Sequence, residues 1–131
     1  MSNSTRATTA APREPRALTG TALVFDLASE AEALKQEAPW QAHGHNAKTL
    51  VKHSDVRVVL IALKAGARMP EHKTDQCVTI QALIGRLRLH LPQTTLDLPA
   101  GGLLALDHTV LHDVEAVEES VFLLTLGWSK S

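Results

Sequence analysis

Histidine is the residue type in this chain that is best suited to metal binding and proton transfer. The sequence has seven histidines and one cysteine, Cys77. An imidazole can bind a metal ion or transfer a proton near neutral pH, because its ordinary pKa is about 6.5. No basic residue stands beside Cys77 to activate a thiolate, so we interpret it as a small core or interface residue. The sequence contains no glycine-rich phosphate loop and no convincing serine–histidine–aspartate order.

Spacing along the chain separates the histidines into different settings. His43 and His45 are one residue apart, and two such histidines on a strand would face the same way. The glycine between them and the asparagine after them indicate a loop instead. His53 falls in a predicted turn, and His90 is predicted to face outward from its strand.

Length and composition restrict the class of protein. The 131 residues suit one domain, and 44% hydrophobic residues are enough for a core, although aromatic residues make up only 3%. A formal net charge of −1 argues against a nucleic-acid partner, and no segment is as apolar as a membrane span. A single cysteine excludes an internal disulfide, so we expect a cytoplasmic protein. Residues 1–18 have almost nothing apolar to bury and are predicted to form a disordered tail.

Residues 19–46 are predicted to hold a first strand and one short helix. The strand is expected over residues 21–27, where apolar and polar residues are mixed. The helix is expected to begin with Ser29 as its N-cap and Glu32 completing a capping box. Pro39 is expected to end it, and the tryptophan that follows is expected to pack over the sheet.

Residues 47–128 carry the pattern of short strands. Turn signals recur at about every 8 to 12 residues, which is typical of a sandwich or barrel. In the strand over residues 77–84, alternation places four residues on one face: Val78, Ile80, Ala82 and Ile84. The opposite face carries Cys77, Thr79, Gln81 and Leu83. In the next strand, alternation places Leu87, Leu89 and Leu91 on one face, and Arg86, Arg88 and His90 on the more solvent-exposed face. Solvated strand faces are predicted for Arg57, Arg68, Arg86 and Arg88.

Two glycine-framed segments carry a family resemblance. In the first, five residues separate Gly66 from His72, and Gly85 closes the segment. In the second, Gly101 opens a segment in which His112 stands at the motif histidine. These segments resemble the two motifs of the small single-domain members of the RmlC-like cupin superfamily. The resemblance covers about residues 47–127 and implies an all-β cupin double-stranded β-helix, a jelly-roll barrel, here with one short N-terminal helix.

The departures from the family pattern concern the metal ligands. Cupins of the metal-site type bind a metal with three histidines and one carboxylate. Here Thr74 occupies the second histidine position, and Val78 occupies the glutamate position if the gap is three residues. With a four-residue gap that position would fall on Thr79. In the second motif, Asp107 and Thr109 stand where proline and glycine are usual.

The resemblance therefore implies a reduced site at the barrel mouth. Its predicted pocket residues are His72, Thr74, Val78, Ile80 and His112. Its metal ligands would be His72 and His112, with a third recruited from His108, Asp75 or Gln76. Catalytic zinc and iron sites generally want about three protein ligands, so two histidines alone are a weak metal signal. Val78, Ile80 and Ala82 either line the floor of a cavity or fill the barrel interior.

Two functions follow as hypotheses. The first is a cupin that binds a small organic molecule at His72 and His112, with or without iron, manganese, nickel or zinc. The second is a metal-free ligand-sensing or structural module. The fold alone does not indicate which reaction the chain catalyses, or whether it is an enzyme. The resemblance implies a homodimer, and the partly apolar outward face of Cys77, Thr79 and Leu83 agrees with it.

Overall fold

The computed structural model describes residues 22–72, 77–107, 110 and 112–127, without the side chains of residues 70–72. The predicted tail, residues 1–18, lies outside the described residues. The helices are α1 (Leu27–Leu34) and α2 (Ala38–His43). The strands are β1 (His45–Lys52), β2 (Val56–Leu63), β3 (Arg68–His72), β4 (Cys77–Ile84), β5 (Arg86–His90), β6 (Thr95–Pro99), β7 (Leu103–Leu106), β8 (His112–Ala116) and β9 (Ser120–Gly127).

The strands form two antiparallel sheets that face each other. One sheet has the order β1-β2-β9-β4-β7 and the other the order β3-β8-β5-β6. From β2 onward most connections cross from one sheet to the other, so the chain winds around a common interior as in a jelly roll. The predicted all-β jelly-roll class is confirmed, and the first strand begins two residues before the predicted start at residue 47.

Apolar side chains from both sheets fill the space between them. The buried members of this core are Ile61, Leu63, Val78, Ile80, Ala82, Leu87, Leu89, Leu98, Val114, Ala116 and Phe122. The alternation predicted for β4 and β5 is correct over most of their length, since the inward residues are those predicted to share a face. Burial of this apolar surface is the main stabilising contribution to the barrel.

The predicted inward position of Ile84 is wrong. Its side chain is 44% exposed. The register between β4 and β9 shifts because Ala82 pairs with Phe122 whereas Ile84 pairs with Val121. This extra residue in β4 is a β-bulge, which reverses the facing of the residues that follow it. Alternation cannot reveal a bulge from one strand alone.

The predicted N-terminal strand and helix start are also wrong. Residues 22–26 form no strand, and α1 already begins at Leu27. Asp26 is the N-cap, because its carboxylate accepts a hydrogen bond from the Ser29 backbone N–H at 3.3 Å. Pro39 does not end the helical region but lies in the first turn of α2, where its missing N–H costs nothing. The chain therefore has two short helices here, not one.

Both helices pack on the outer face of the five-stranded sheet. The buried residues of this second cluster are Ala31, Leu34, Trp40, Leu50, Leu60, Ala62 and Val121. The predicted packing of Trp40 over the sheet is thus confirmed. Asn46, 6% exposed, links the helices to β1 because its side-chain N–H groups donate to Leu34 O at 2.9 Å and Glu37 Oε1 at 2.8 Å.

Two glycines mark turns at the end of the barrel where β4 meets β5 and where β2 turns toward β3. Gly85 has φ +83°, and a Cβ added there would collide with the Glu119 carbonyl and the Ser120 side chain. Gly66 has φ +85°, but a Cβ there would meet nothing within 4 Å. Gly85 is therefore required for both conformation and space, whereas Gly66 is required for conformation only.

Candidate functional site

His112 is the first residue of β8 and points into the barrel. It alternates with Asp113 and shares its face with Val114 and Ala116, which are 2% and 0% exposed in the inter-sheet core. Its own side chain is 3% exposed. A polar ring is thus held at the edge of an apolar interior, where a buried polar group needs hydrogen-bond partners.

The hydrogen bond of one ring nitrogen determines what the other can do. His112 Nδ1 lies 3.0 Å from the Val110 carbonyl oxygen. A carbonyl only accepts, so we assign the proton to Nδ1, which leaves the lone pair of a neutral ring on Nε2. An imidazole arranged in this way presents Nε2 as an acceptor or as a metal ligand.

His72 lies opposite His112 in the sheet. It is the last residue of β3, and the backbone register pairs it with His112 after an irregularity that follows Met69. Residues directly opposite in an antiparallel pair are neighbours, with Cβ atoms about 4.5–5.5 Å apart. The fold therefore brings together the backbones of the two histidines predicted from the motifs. They meet at the barrel end where β3 and β7 finish and β4 and β8 begin, which is called the mouth below.

The register also decides which β4 residue stands at the usual carboxylate position. Val78 is inward and 3% exposed, between Leu106 on β7 and Leu126 on β9. Thr79 has the opposite phase and is half-buried beside Ala105 and Thr125. The three-residue gap is thus the one that gives an inward position, and an apolar side chain fills it. Ile80, 1% exposed, packs in the same core.

The donor set of the described residues does not fit a complete metal centre. In the part of the chain that the structure describes, no group of three or more histidine, cysteine, aspartate or glutamate side chains could hold a metal ion. The second histidine position, Thr74, and the candidate third ligands Asp75, Gln76 and His108 lie outside the described residues.

Arg57 was not predicted as a site residue, but the register places it on the inner face of β2 at the mouth. Arg57 has the same phase as Val59 and Ile61, which face the core, whereas Leu60 faces the helices. Its cross-strand neighbour Leu126 also packs against the core, and Arg57 Nε is buried. The expectation of a solvated face is therefore wrong for Arg57. Its phase along β2 was the signal that could have revealed this.

The other three arginines do lie on the outer face of the four-stranded sheet. Arg68 donates to Asp113 at 2.8 Å, and this hydrogen bond raises the pKa of the guanidinium. Arg86 and Arg88 each lie 3.7 Å from Asp97. Such partly exposed pairs contribute little to stability, commonly about 0–1 kcal/mol each.

The remaining titratable side chains lie away from the mouth. His90 Nε2 is 2.8 Å from Glu115 Oε1 on the outer face, and this contact lowers the pKa of the Glu115 carboxyl. His43 and His45 are exposed, with ring centroids 5.8 Å apart, at the opposite end of the barrel, where His45 pairs with Leu63. The loop predicted between these two histidines is reduced to one glycine that caps α2.

Two further predictions concern single residues. His53 lies in the β1–β2 turn as predicted, with its backbone N–H bonded to Val56 O at 2.9 Å. Cys77 is an exposed free cysteine on the outer face of β4, so it is not a core residue. Within the described residues, no helix is long and apolar enough to cross a membrane.

Comparison with known proteins agrees with this architecture. No protein-family model and no curated protein matches the chain. A conserved protein of unknown function from Streptococcus pyogenes is 19% identical, with TM-score 0.67, over 88% of this chain and 95% of its own. KdgF from Halomonas sp. is 18% identical, with TM-score 0.63, over 67% and 83%. A cupin superfamily protein from Desulfitobacterium hafniense is 14% identical, with TM-score 0.64, over 66% and 80%. With the two sheets and their strand order, these likenesses show that the chain has the RmlC-like cupin fold.

Proposed function

We propose that the chain binds a small organic molecule in the barrel mouth through His72 and His112. The observation that supports this most directly is the 3% exposed imidazole of His112, which faces the interior with its Nδ1 proton committed to Val110. A ligand hydroxyl or amine can donate a hydrogen bond to Nε2. Small-molecule sites are commonly lined by apolar side chains with a few polar groups that orient the ligand.

Binding by the histidines without a metal is the version that the donor set supports. A catalytic metal centre commonly takes about three protein ligands, and the inward position on β4 holds Val78 in place of a carboxylate. Iron, manganese, nickel or zinc at His72 and His112 would need a third ligand, for which Asp75, Gln76 and His108 are the candidates in the sequence.

The test compares ligand binding in matched variants. A library of small organic molecules is screened by the melting temperature of the metal-free protein, and hits are repeated with His72→Ala, His112→Ala and His43→Ala. Hits should stabilise the parent and His43→Ala, whose exposed ring lies away from the mouth, but not the other two. Hits that stabilise all four proteins equally would contradict the site. Elemental analysis of protein purified without an affinity tag separately tests the metal alternative.

A homodimer is the assembly that we propose for this protein. The outer face of β4 and β7 carries Cys77, Thr79, Gln81, Leu103 and Ala105, none of them charged. Leu103 is 63% exposed there, whereas charged side chains cover the outer face of the other sheet. An uncharged face of this kind favours contact with a second copy. Sedimentation should give a dimer that Leu103→Glu weakens, and a monomeric parent at micromolar concentration would refute it.

The same uncharged face gives the second candidate function, a non-enzymatic ligand-sensing or structural dimer module without metal. The apolar Val78 in place of the carboxylate favours this candidate over a metalloenzyme. A dimer whose melting temperature responds to no library member would support the structural version.

A further inference from the structure

The row of residues that crosses the five-stranded sheet at the mouth contains two cations, the exposed Lys52 on the edge strand β1 and Arg57 beside it on β2. Register pairs Arg57 with Leu126, Leu126 with Val78, and Val78 with Leu106. From Arg57 toward β7, the other three residues of this row are apolar and belong to the core or pack against it. The row lies at the barrel end at which β3 finishes in His72 and β8 begins with His112.

Arg57 differs in charge from the apolar side chains that surround it on the inner face. Its cross-strand neighbour Lys52 also carries a charge but is exposed, whereas Arg57 is partly buried. A guanidinium stays protonated at any physiological pH, and its Nε is already out of contact with solvent. Low-dielectric surroundings strengthen the attraction between such a cation and an anion beside it.

We propose that Arg57 selects ligands that carry a carboxylate, so that the occupant of the mouth is a small organic acid. This rests on the proposed function of the mouth, and it adds the substrate class. The planar guanidinium offers five N–H donors in a fork that matches a carboxylate, so a ligand and a protein group can share it. A carboxylate brings one negative charge to the partly buried guanidinium, whereas a phosphate ester brings about two at pH 7, and the neighbouring Lys52 is exposed.

Matched probes separate charge from shape. Benzoate and benzamide, and acetate and acetamide, differ little in shape but differ in charge, and phenyl phosphate provides the alternative anion. Their dissociation constants are measured by calorimetry for the parent, Arg57→Gln, Arg57→Lys and Arg88→Gln. Arg88 is the matched control because it is an arginine on the outer face of the other sheet, with its side chain 42% exposed.

The expected result is that each carboxylate binds the parent at least about 10-fold more tightly than its amide. Arg57→Gln should abolish that ratio, Arg57→Lys should retain part of it, and Arg88→Gln should leave it unchanged. If Arg57→Gln does not fold, the ratio of acid to amide in the parent still decides the matter.

Three results would overturn the proposal. Amides that bind as tightly as their acids would show that charge is not recognised, and an equal ratio in Arg57→Gln would assign recognition to another group. Tighter binding of phenyl phosphate than of benzoate would show that the site prefers a phosphate to a carboxylate. In each case, binding that His112→Ala still abolishes would leave the proposed function intact. Failure of every probe to bind the parent would overturn the selection of carboxylates, and the library screen would then decide the proposed function separately.

Discussion

Rebuilding the ligand set at the mouth tests whether the motif register is correct. Val78 stands at the inward position that a metal-binding cupin fills with glutamate, and Thr74 stands at the second histidine. The double variant Thr74→His with Val78→Glu should therefore join His72 and His112 in a four-ligand site. Ile80→Glu is the matched control, because Ile80 faces the same way on β4 but lies one row deeper.

The structure gives the size of the expected effect. Val78 is 3% exposed between Leu106 and Leu126, so a carboxylate there loses its hydration and raises its own pKa. With the lost valine packing, we expect the free energy of unfolding to fall by about 3 kcal/mol in metal-free buffer. For a chain of this length that corresponds to roughly 10 °C in Tm. Zinc at 100 times its Kd should return about 2.7 kcal/mol.

Urea unfolding with chelator and with added zinc measures both effects. The double variant should recover most of its lost stability with zinc, and the parent should gain much less. Ile80→Glu should stay destabilised with and without zinc. A double variant that is indifferent to zinc, or an Ile80→Glu variant rescued to the same extent, would mean that the register is misassigned or that the two histidines do not share a cavity.

Three further predictions concern the frame around the site. Gly85→Ala should cost about 3 kcal/mol of unfolding free energy and Gly66→Ala only about 1 kcal/mol, measured by urea unfolding, because only the first adds a collision to a positive φ. Asn46→Ala should cost about 2 kcal/mol in the same assay, since it removes the buried hydrogen bond to Leu34 O and the part-buried one to Glu37. His90→Gln should flatten the pH dependence of stability below about pH 5, because the lowered pKa of Glu115 gives stability that is present at neutral pH and lost as the pH falls through that pKa.

Each of these predictions has a clear contrary result. Equal losses at the two glycines would mean that the turn between β4 and β5 relaxes around a methyl group. An unchanged Asn46→Ala midpoint would mean that the helices are held by apolar packing alone. An unchanged acid limb in His90→Gln would show that the outer-face pair does not determine the Glu115 titration.

The barrel could be predicted because its strands repeat a local signal. Alternation identified the inward residues of β4 and β5, and the motif glycines fell at real turns such as Gly66 and Gly85. One error came from an interaction that is distant in sequence, because the exposed Ile84 depends on a bulge against β9. The other was local, because α1 begins where Asp26 caps the Ser29 backbone N–H and not at Ser29 itself.

The site was predictable only in part. Motif spacing identified His112, and its inward facing follows from the phase of β8. The bond from its Nδ1 to Val110 could not be predicted, because it depends on how the chain turns before β8. Arg57 was overlooked because an arginine is usually solvated, and only the shared phase with Val59 and the pairing with Leu126 reveal that it faces inward.

The most direct test of the central claim is a ¹H–¹⁵N spectrum of the imidazole nitrogens of His112. In the ligand-free, metal-free protein, the neutral ring should carry its proton on Nδ1, which donates to the Val110 carbonyl, and not on Nε2. Addition of a small-molecule hit from the melting-temperature screen should shift the Nε2 resonance of His112 and leave that of exposed His43 in place. A proton on Nε2, or an Nε2 signal that no hit moves, would contradict a ligand site at the mouth.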